Sequence, residues 1–313
     1  MKKLSIIEYV FEIVLIIILS FVYYLAQPIK TSKVVFIPQG GINKIITYLH
    51  NKKGYNVSKI DSIILRFLGK PQSGWVEIGS TEILRADFLY KLTTAKAALQ
   101  KVTLIPGETT VVFLYQLSKK LNLDFKKLVY YYNKYAPMPE GVLVPETYSI
   151  PLGIGEKELI KILLNNSKKE RLAFSNKIFG TYDEKKWFRY VAVASIIQKE
   201  SANNKEMPIV SSVIYNRLKK GMKLQMDGTL NYGKYSHIKV TAKRIREDKS
   251  FYNTYLHKGI PKYPVCTVSF EAIKAAIFPK KTNYLYFVKG KNGTHKFSCN
   301  YSTHLHNIDY ATK

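Results

Sequence analysis

Residues Ile6 to Ala26 form an apolar stretch interrupted only by Glu8 and Glu12, and from Ile13 to Ala26 it is unbroken. As a helix rising about 1.5 Å per residue, it matches a bilayer core of roughly 30 Å. Such a segment crosses a membrane, is cleaved as a signal peptide, or is buried as a short core helix. No small-x-small cleavage site stands before Gln27 and Pro28, so the expectation is an uncleaved transmembrane anchor. Glu8 reaches the headgroups, whereas Glu12 is costlier to place. Lysines are plentiful on both sides of the segment, and counting them does not fix its orientation. A signal anchor with so few residues ahead of it would translocate everything that follows.

The remaining chain has the means to fold. Hydrophobic residues make up 46% of the sequence, with 24 Tyr and 15 Phe, which excludes an intrinsically disordered protein. Lys and Arg number 49 against 22 Asp and Glu, a net charge of +27. That balance suits an anionic partner such as a phospholipid surface, an acidic wall polymer or nucleic acid. The positive residues are mostly Lys and are scattered from Lys2 to Lys313, so a solvated basic surface is expected and a nucleic-acid partner is not. Cys266 and Cys299 form no Cys-x-x-Cys pair, and His304 and His306 have no Cys or carboxylate cluster at ligand spacing. Two buried thiols are expected, with a single bridge as the alternative, and neither a metal nor a cofactor.

Between Lys33 and about Asn165, two stretches read alike. Val34-Val35-Phe36-Ile37-Pro38 leads through Gly40-Gly41 into Ile42, Ile45, Ile46 and Leu49, which recur at helical spacing. Val102 to Pro106 and Gly107 lead likewise into Thr110, Val112, Phe113, Leu114 and Leu117. Both predict small β-α modules. Glu140-Gly141 to Pro145-Glu146-Thr147-Tyr148 then reads as a junction into the second half. A Lys-rich helix is predicted from about Glu156 to Phe174. Thr181 and Glu184 have the spacing of a capping box opening the next helix through Trp187, Val191, Ala194 and Ile197.

That helix is apolar almost all round from Val191 to Ile197 and ends at Gln198-Lys199-Glu200, the pattern of a buried helix. A carboxyl at its C-terminal end is partly desolvated and feels the negative end of the helix dipole, so Glu200 is expected to have a raised pKa, with Lys199 opposing. Without further context, an exposed charge at a helix end is the plainer reading. A second helix follows from about Glu206, with Pro208 in its first turn and Lys219-Lys220-Gly221 closing it. Leu224-Gln225-Met226-Asp227-Gly228 comes next, its Asp-Gly step predicting a tight turn. Ser269 to Phe278 reads as a helix, and alternating Tyr284, Tyr286 and Val288 before Gly290 to Gly293 predict a hairpin to Ser298.

Taken together, several short motifs carry a family resemblance. They are Ala194 to Glu200, Tyr215-Asn216-Arg217-Leu218 through Gly221 to Gln225, Asp227 with Thr229 and Tyr232-Gly233, Tyr252-Asn253-Thr254-Tyr255, Gly259-Ile260-Pro261, Pro264-Val265-Cys266, and Tyr284 to Val288 with His295, Phe297, Ser298 and His304. The chain resembles the MltG (YceG-like) family of endolytic peptidoglycan transglycosylases over most of its length after the anchor. The resemblance implies an α+β fold with three parts: residues 1–32 as a cytoplasmic tip and transmembrane anchor, 33–150 as LysM-like β-α modules, and 151–313 as a mixed α/β catalytic domain. It places the chain in the bacterial inner membrane, with its catalytic part on the periplasmic or wall side. Glycan strands would be the substrate and peptidoglycan synthases candidate partners.

In that resemblance Glu200 matches the catalytic glutamate, and Gln225 and Asp227 lie in the active-site loop. Asn216, Gln225 and Tyr232 are candidates to hold sugar groups, Tyr252 and Tyr255 to stack on a sugar, and Arg217 to meet a stem carboxylate or pair inside the fold. Gly228 replaces the Pro that commonly follows the loop Asp, and Thr303 stands where an acidic residue often precedes His304. Two other functions compete: a hydrolytic muramidase using Glu200 and Asp227, and a non-catalytic glycan-binding scaffold.

Overall fold

Ile6–Ala26 is one continuous helix, α1, with no buried residue along it, in a computed structural model that describes residues 6–312. Among these residues α1 alone is a helix long and apolar enough to cross a membrane. By contact the chain divides into two units. One is Met1–Gln100 with Ser149–Ile154, and the other is Lys101–Tyr148 with Gly155–Lys313.

In the first unit, β1 (Pro28–Lys30) follows α1 and pairs antiparallel with β4 (Glu82–Leu84), Pro28 lying opposite Leu84. Between them run β2 (Val34–Ile37), α2 (Ile42–Lys53), α3 (Lys59–Leu68) and β3 (Gly74–Glu77), with β2 antiparallel to β3 and Val35 opposite Val76. The expected β-α module is therefore β-α-α-β. Gly54, in the left-handed region at φ 68°, ends α2, and a reciprocal capping box between Ser58 and Asp61 starts α3. Val35, Ile37, Ile45, Leu49, Leu65 and Val76 form the core with Phe88 of α4 (Arg85–Thr94).

The same order recurs. β5 (Leu99–Thr103) is followed by α5 (Thr110–Leu121), α6 (Phe125–Tyr135) and β6 (Thr147–Pro151), and β5 pairs with β6. The chain leaves the first unit along β5 and returns to it along β6. Residues 101–148 otherwise belong with the later chain, α6 packing on α7 (Glu156–Phe179).

The second unit is built around α8 (Glu184–Glu200), whose residues Val191 to Ile197 are all buried. α9 (Met207–Lys219) and α11 (Phe270–Ile277) pack against it, and α10 (Ala242–Glu247) lies between them in sequence. The expected hairpin forms as β7 (Tyr286–Lys289) and β8 (His295–Ser298), Tyr286 opposite Ser298, and α12 (Tyr301–Thr312) follows. Three expectations are corrected. Asp183, not Thr181, caps α8, accepting from the Lys186 N–H, because the helix begins one residue after it. The preceding helix runs past Phe174 to Phe179, where Gly180 at φ 72° stops it. Both cysteines are free, but only Cys266 is buried; Cys299 is exposed, just after β8.

Candidate active site

The end of α8 is fixed by bonds that its own polar residues make. The Ser195 Oγ accepts from the Val265 N–H at 2.9 Å, and Gln198 Oε1 accepts both the N–H and hydroxyl of Ser269, the cap of α11. Glu200 is the last helical residue and is half-buried. Its Oε1 accepts one hydrogen bond, from the Gly228 N–H at 2.7 Å. Burial pushes this carboxyl up to about 7; the Gly228 N–H pulls it down, and the charge of Asp227 adds to the rise. Lys199 does not oppose it as expected, because its ammonium turns to the Ser236 hydroxyl at 3.2 Å.

The loop after α9 delivers Asp227 and Gly228. It is fastened from two sides. Arg217 on α9 donates to the backbone oxygens of Leu224 at 2.7 Å and Leu285 at 2.6 Å. Thr254, fully buried, accepts the Met226 N–H with its hydroxyl and the Gln225 N–H with its carbonyl. Asn253 beside it donates to the Ile245 and Asp248 carbonyls. The middle of the Tyr252 to Tyr255 motif thus holds the loop in place. A short 3-10 turn runs from Asp227 to Leu230.

Gly228 serves a different purpose from the one its Asp-Gly step suggests. Its φ is not in the left-handed region; Gln225, at φ 50°, is the residue that takes it. A Cβ on Gly228 would stand 2.7 Å from Glu200 Oε1 and 2.6 Å from Lys199 Cβ. Glycine therefore lets the loop backbone approach the end of α8 closely enough to donate to the carboxylate.

Glu200, Arg217, Gln225, Asp227 and Tyr255 converge on one cavity of 610 Å³. The Tyr255 hydroxyl donates to Asp227 Oδ1 at 2.7 Å, and burial with the neighbouring Asp227 keeps this phenol protonated well beyond its ordinary range. The other candidates lie elsewhere. Asn216 donates its amide to the Thr282 and Tyr284 carbonyls at 2.8 and 3.0 Å. Tyr232 and Tyr252 stack on each other, with centroids 4.3 Å apart, beside a separate cavity of 150 Å³ that also holds Glu140.

The cavity also has a wall that sequence reasoning left unassigned. Tyr286 of the hairpin and Tyr301 and His304 of α12 line it. The His304 ring stacks on Tyr286 at 5.1 Å, and its Nδ1 is buried without a partner. Burial, then the Arg217 charge, holds His304 below the usual imidazole value. His295 also lines the cavity, but is engaged: Nδ1 lies 2.7 Å from Glu206 Oε2. The alternating Tyr284, Tyr286 and Val288 carried the hairpin signal; the cavity-facing side followed only from its packing with α12. Among the described residues no three His, Cys, Asp or Glu side chains gather as a metal-ligand set.

A protein named endolytic murein transglycosylase from Bacillus subtilis (strain 168) is 28% identical to this chain over 252 residues, covering 79% of this chain and 67% of that protein. A protein of the same name from Streptococcus pneumoniae serotype 2 is 31% identical over 157 residues, covering 48% of this chain but only 28% of its own length. The crystal structure of a YceG-like protein from Listeria monocytogenes matches with a TM-score of 0.57 at 25% identity, covering 87% of this chain and 98% of that one. The YceG-like family profile matches residues 35–310, which is nearly all of the sequence after α1, and the chain belongs to the YceG-like family.

Proposed function

We propose that this chain is a membrane-anchored endolytic murein transglycosylase that cuts the MurNAc-GlcNAc β-1,4 bond of nascent peptidoglycan and leaves 1,6-anhydro-MurNAc ends, terminating strand elongation. The observation that carries the reading is Glu200: one half-buried carboxyl at a cavity of sugar-binding size, pushed up to about 7 and given one protein donor. The names of the relatives support the same activity.

Near neutral pH a substantial fraction of Glu200 is protonated. The acid gives its proton to the departing O4 of GlcNAc as the C1–O4 bond breaks. The resulting carboxylate then takes the proton of the MurNAc C6 hydroxyl, whose oxygen closes onto C1, so water is not consumed and Glu200 returns to its acid form. The Gly228 N–H steadies the carboxylate during the interval in which it is charged. Asp227, oriented by Tyr255, faces the same cavity, where its negative charge favours an oxocarbenium-like centre. Gln225 and His304 are the polar groups placed to bind the sugar, with Tyr286 and Tyr301 as its apolar wall. Arg217 and Asn216 act through the loop and hairpin that they tie down, and Tyr232 and Tyr252 through their packing.

The anchor α1 keeps the enzyme at the cytoplasmic membrane of a bacterium with its catalytic part on the wall side, where synthases extend the strands that it cuts. The β-α-α-β order of the first unit supports a LysM-like, substrate-positioning module.

A second reading, a muramidase, rests on Asp227 lying beside Glu200, because two neighbouring carboxyls are what hydrolysis requires. Digestion of purified peptidoglycan by the whole protein, with Glu200→Gln in parallel and ends identified by mass spectrometry, separates the readings. Anhydro ends from the unmodified protein alone support the transglycosylase. Reducing ends would establish the muramidase, and no cleavage by folded protein would leave the glycan-binding scaffold.

A further inference from the structure

The helix α3 carries an exposed apolar stripe that its own unit does not cover. Ile60, Ile63 and Phe67 are 49%, 54% and 88% exposed, and at 3.6 residues per turn they fall within an arc of about 60°. The opposite face, with Leu65, packs into the core. Lys59 and Arg66 lie together along one edge of the stripe, and the single acid of α3, Asp61, is fully buried against Arg85 at 2.7 Å. The exposed surface of α3 is therefore apolar and basic, with no negative charge.

A second observation says what covers it. The end of α1 is locked to the start of α3 by a cluster of polar side chains. The Tyr24 hydroxyl lies 2.7 Å from the Ser58 Oγ and donates to Asp61 Oδ1 at 2.9 Å. Arg85 donates to the same hydroxyl at 3.1 Å and sits over the Tyr24 ring at 4.2 Å. Tyr24 lies two residues before the end of the apolar helix, so the first turn of α3 is pinned where α1 leaves the hydrocarbon. Leu84, opposite Pro28 just beyond that end, is exposed as well.

From this placement we infer that α3 lies in the headgroup and acyl boundary of the membrane that α1 spans, with Ile60, Ile63 and Phe67 inserted and Lys59 and Arg66 reaching anionic headgroups. An amphipathic helix with this pattern buries its apolar face at such a boundary, while the stems of its basic residues lie along the apolar surface. Seated on both α1 and α3, the first unit cannot swing freely about its anchor. The inference rests on α1 spanning the membrane.

The test uses the full chain in phosphatidylcholine vesicles containing phosphatidylglycerol. Nitroxide labels are attached at Phe67→Cys or Ile63→Cys in a Cys299→Ser background, Cys266 being fully buried. Ile17→Cys on α1 and Lys52→Cys on α2 serve as references for lipid and water. At positions 63 and 67 the inference expects collision with oxygen to exceed that with a water-soluble nickel chelate several-fold, as at position 17, and the reverse at position 52. Chelate access at 67 matching that at 52 while 17 remains in lipid would overturn the inference and leave the anchor standing. Chelate access at 17 would remove the anchor and the inference together. Spin–spin broadening at 67 that persists on lipid dilution would show a second copy on the stripe and would also overturn it.

Discussion

Glu140 and Glu200 are both carboxyls that burial pushes up to about 7, yet their surroundings differ. Glu140, 6% exposed, accepts from the Thr110 N–H, the Thr110 hydroxyl and the Gly141 N–H. It closes the N-terminus of α5, a role in which its negative charge is favoured by the helix dipole. Glu200 sits at the opposite end of a helix, accepts one N–H, and opens to the larger cavity. A raised pKa alone therefore does not single out a catalytic acid. What separates the two is the number of lone pairs already taken by the protein, and this difference can be tested.

The largest effect expected is on activity in Glu200→Gln, a loss of about 10³-fold in kcat measured on purified glycan, because the proton donor is gone. Glu140→Gln should leave activity per folded molecule near that of the unmodified protein. At pH 5, where burial keeps this carboxyl neutral, it should instead lose about 2 kcal/mol of stability in denaturant unfolding, since an amide NH₂ replaces an acceptor facing the Thr110 and Gly141 donors. Abolished activity in a folded Glu140→Gln would erase the distinction.

The second test is pH. Both folded-state values are raised, so each carboxyl contributes stability that is fully present below its unfolded value near 4.5 and is lost as pH rises through about 7. Thermal melting should therefore fall between pH 5 and pH 8, and Glu200→Gln should be the more stable protein at pH 8, by about 3 kcal/mol. Turnover should likewise decline above about pH 7 as the acid form is depleted, about tenfold per unit. A rate that kept rising to pH 9 would remove Glu200 as the acid.

The sequence revealed Glu200 more readily than its surroundings. The apolar run Val191 to Ile197 marks a buried helix, and the polar residues after it had to fall at its end. Glu140 gave no such signal, because its partners are its own loop neighbour, Gly141, and a helix start thirty positions away, Thr110. Gly228 was legible as a glycine but not for the right reason. Its use depends on the distance between α8 and the loop, which no local pattern encodes. The returning strand of each β-α-α-β module was missed because four or five residues are too short to show alternation, whereas the second helices, α3 opened by the Ser58–Asp61 box and α6 by Asp124, did carry start signals in the sequence.

Gly228→Ala probes the near side of the comparison. The added Cβ must displace Glu200 or Lys199, both under 3.0 Å away, and the expected result is a fall in kcat of about 30-fold with less than about 2 kcal/mol lost in stability. The pH optimum should also shift, because a displaced carboxyl loses the Gly228 donor that now lowers its pKa. An unchanged optimum and rate would mean that the loop does not position the acid.

The smallest effect separates Tyr255 from Tyr252, two tyrosines of one motif that the fold sends to different cavities. Tyr255→Phe removes the hydroxyl that orients Asp227 and should lower kcat about tenfold with little change in KM, the cost of one lost charge-assisted hydrogen bond. Tyr252→Phe deletes a hydroxyl whose acceptor, the Pro264 carbonyl, is 3.4 Å away, a marginal bond. It keeps the ring stacked on Tyr232 and should leave both constants within about twofold. If instead the two variants fall together, the stacked pair at the smaller cavity is part of the glycan path, and the boundary drawn between the Glu140 and Glu200 regions would have to move.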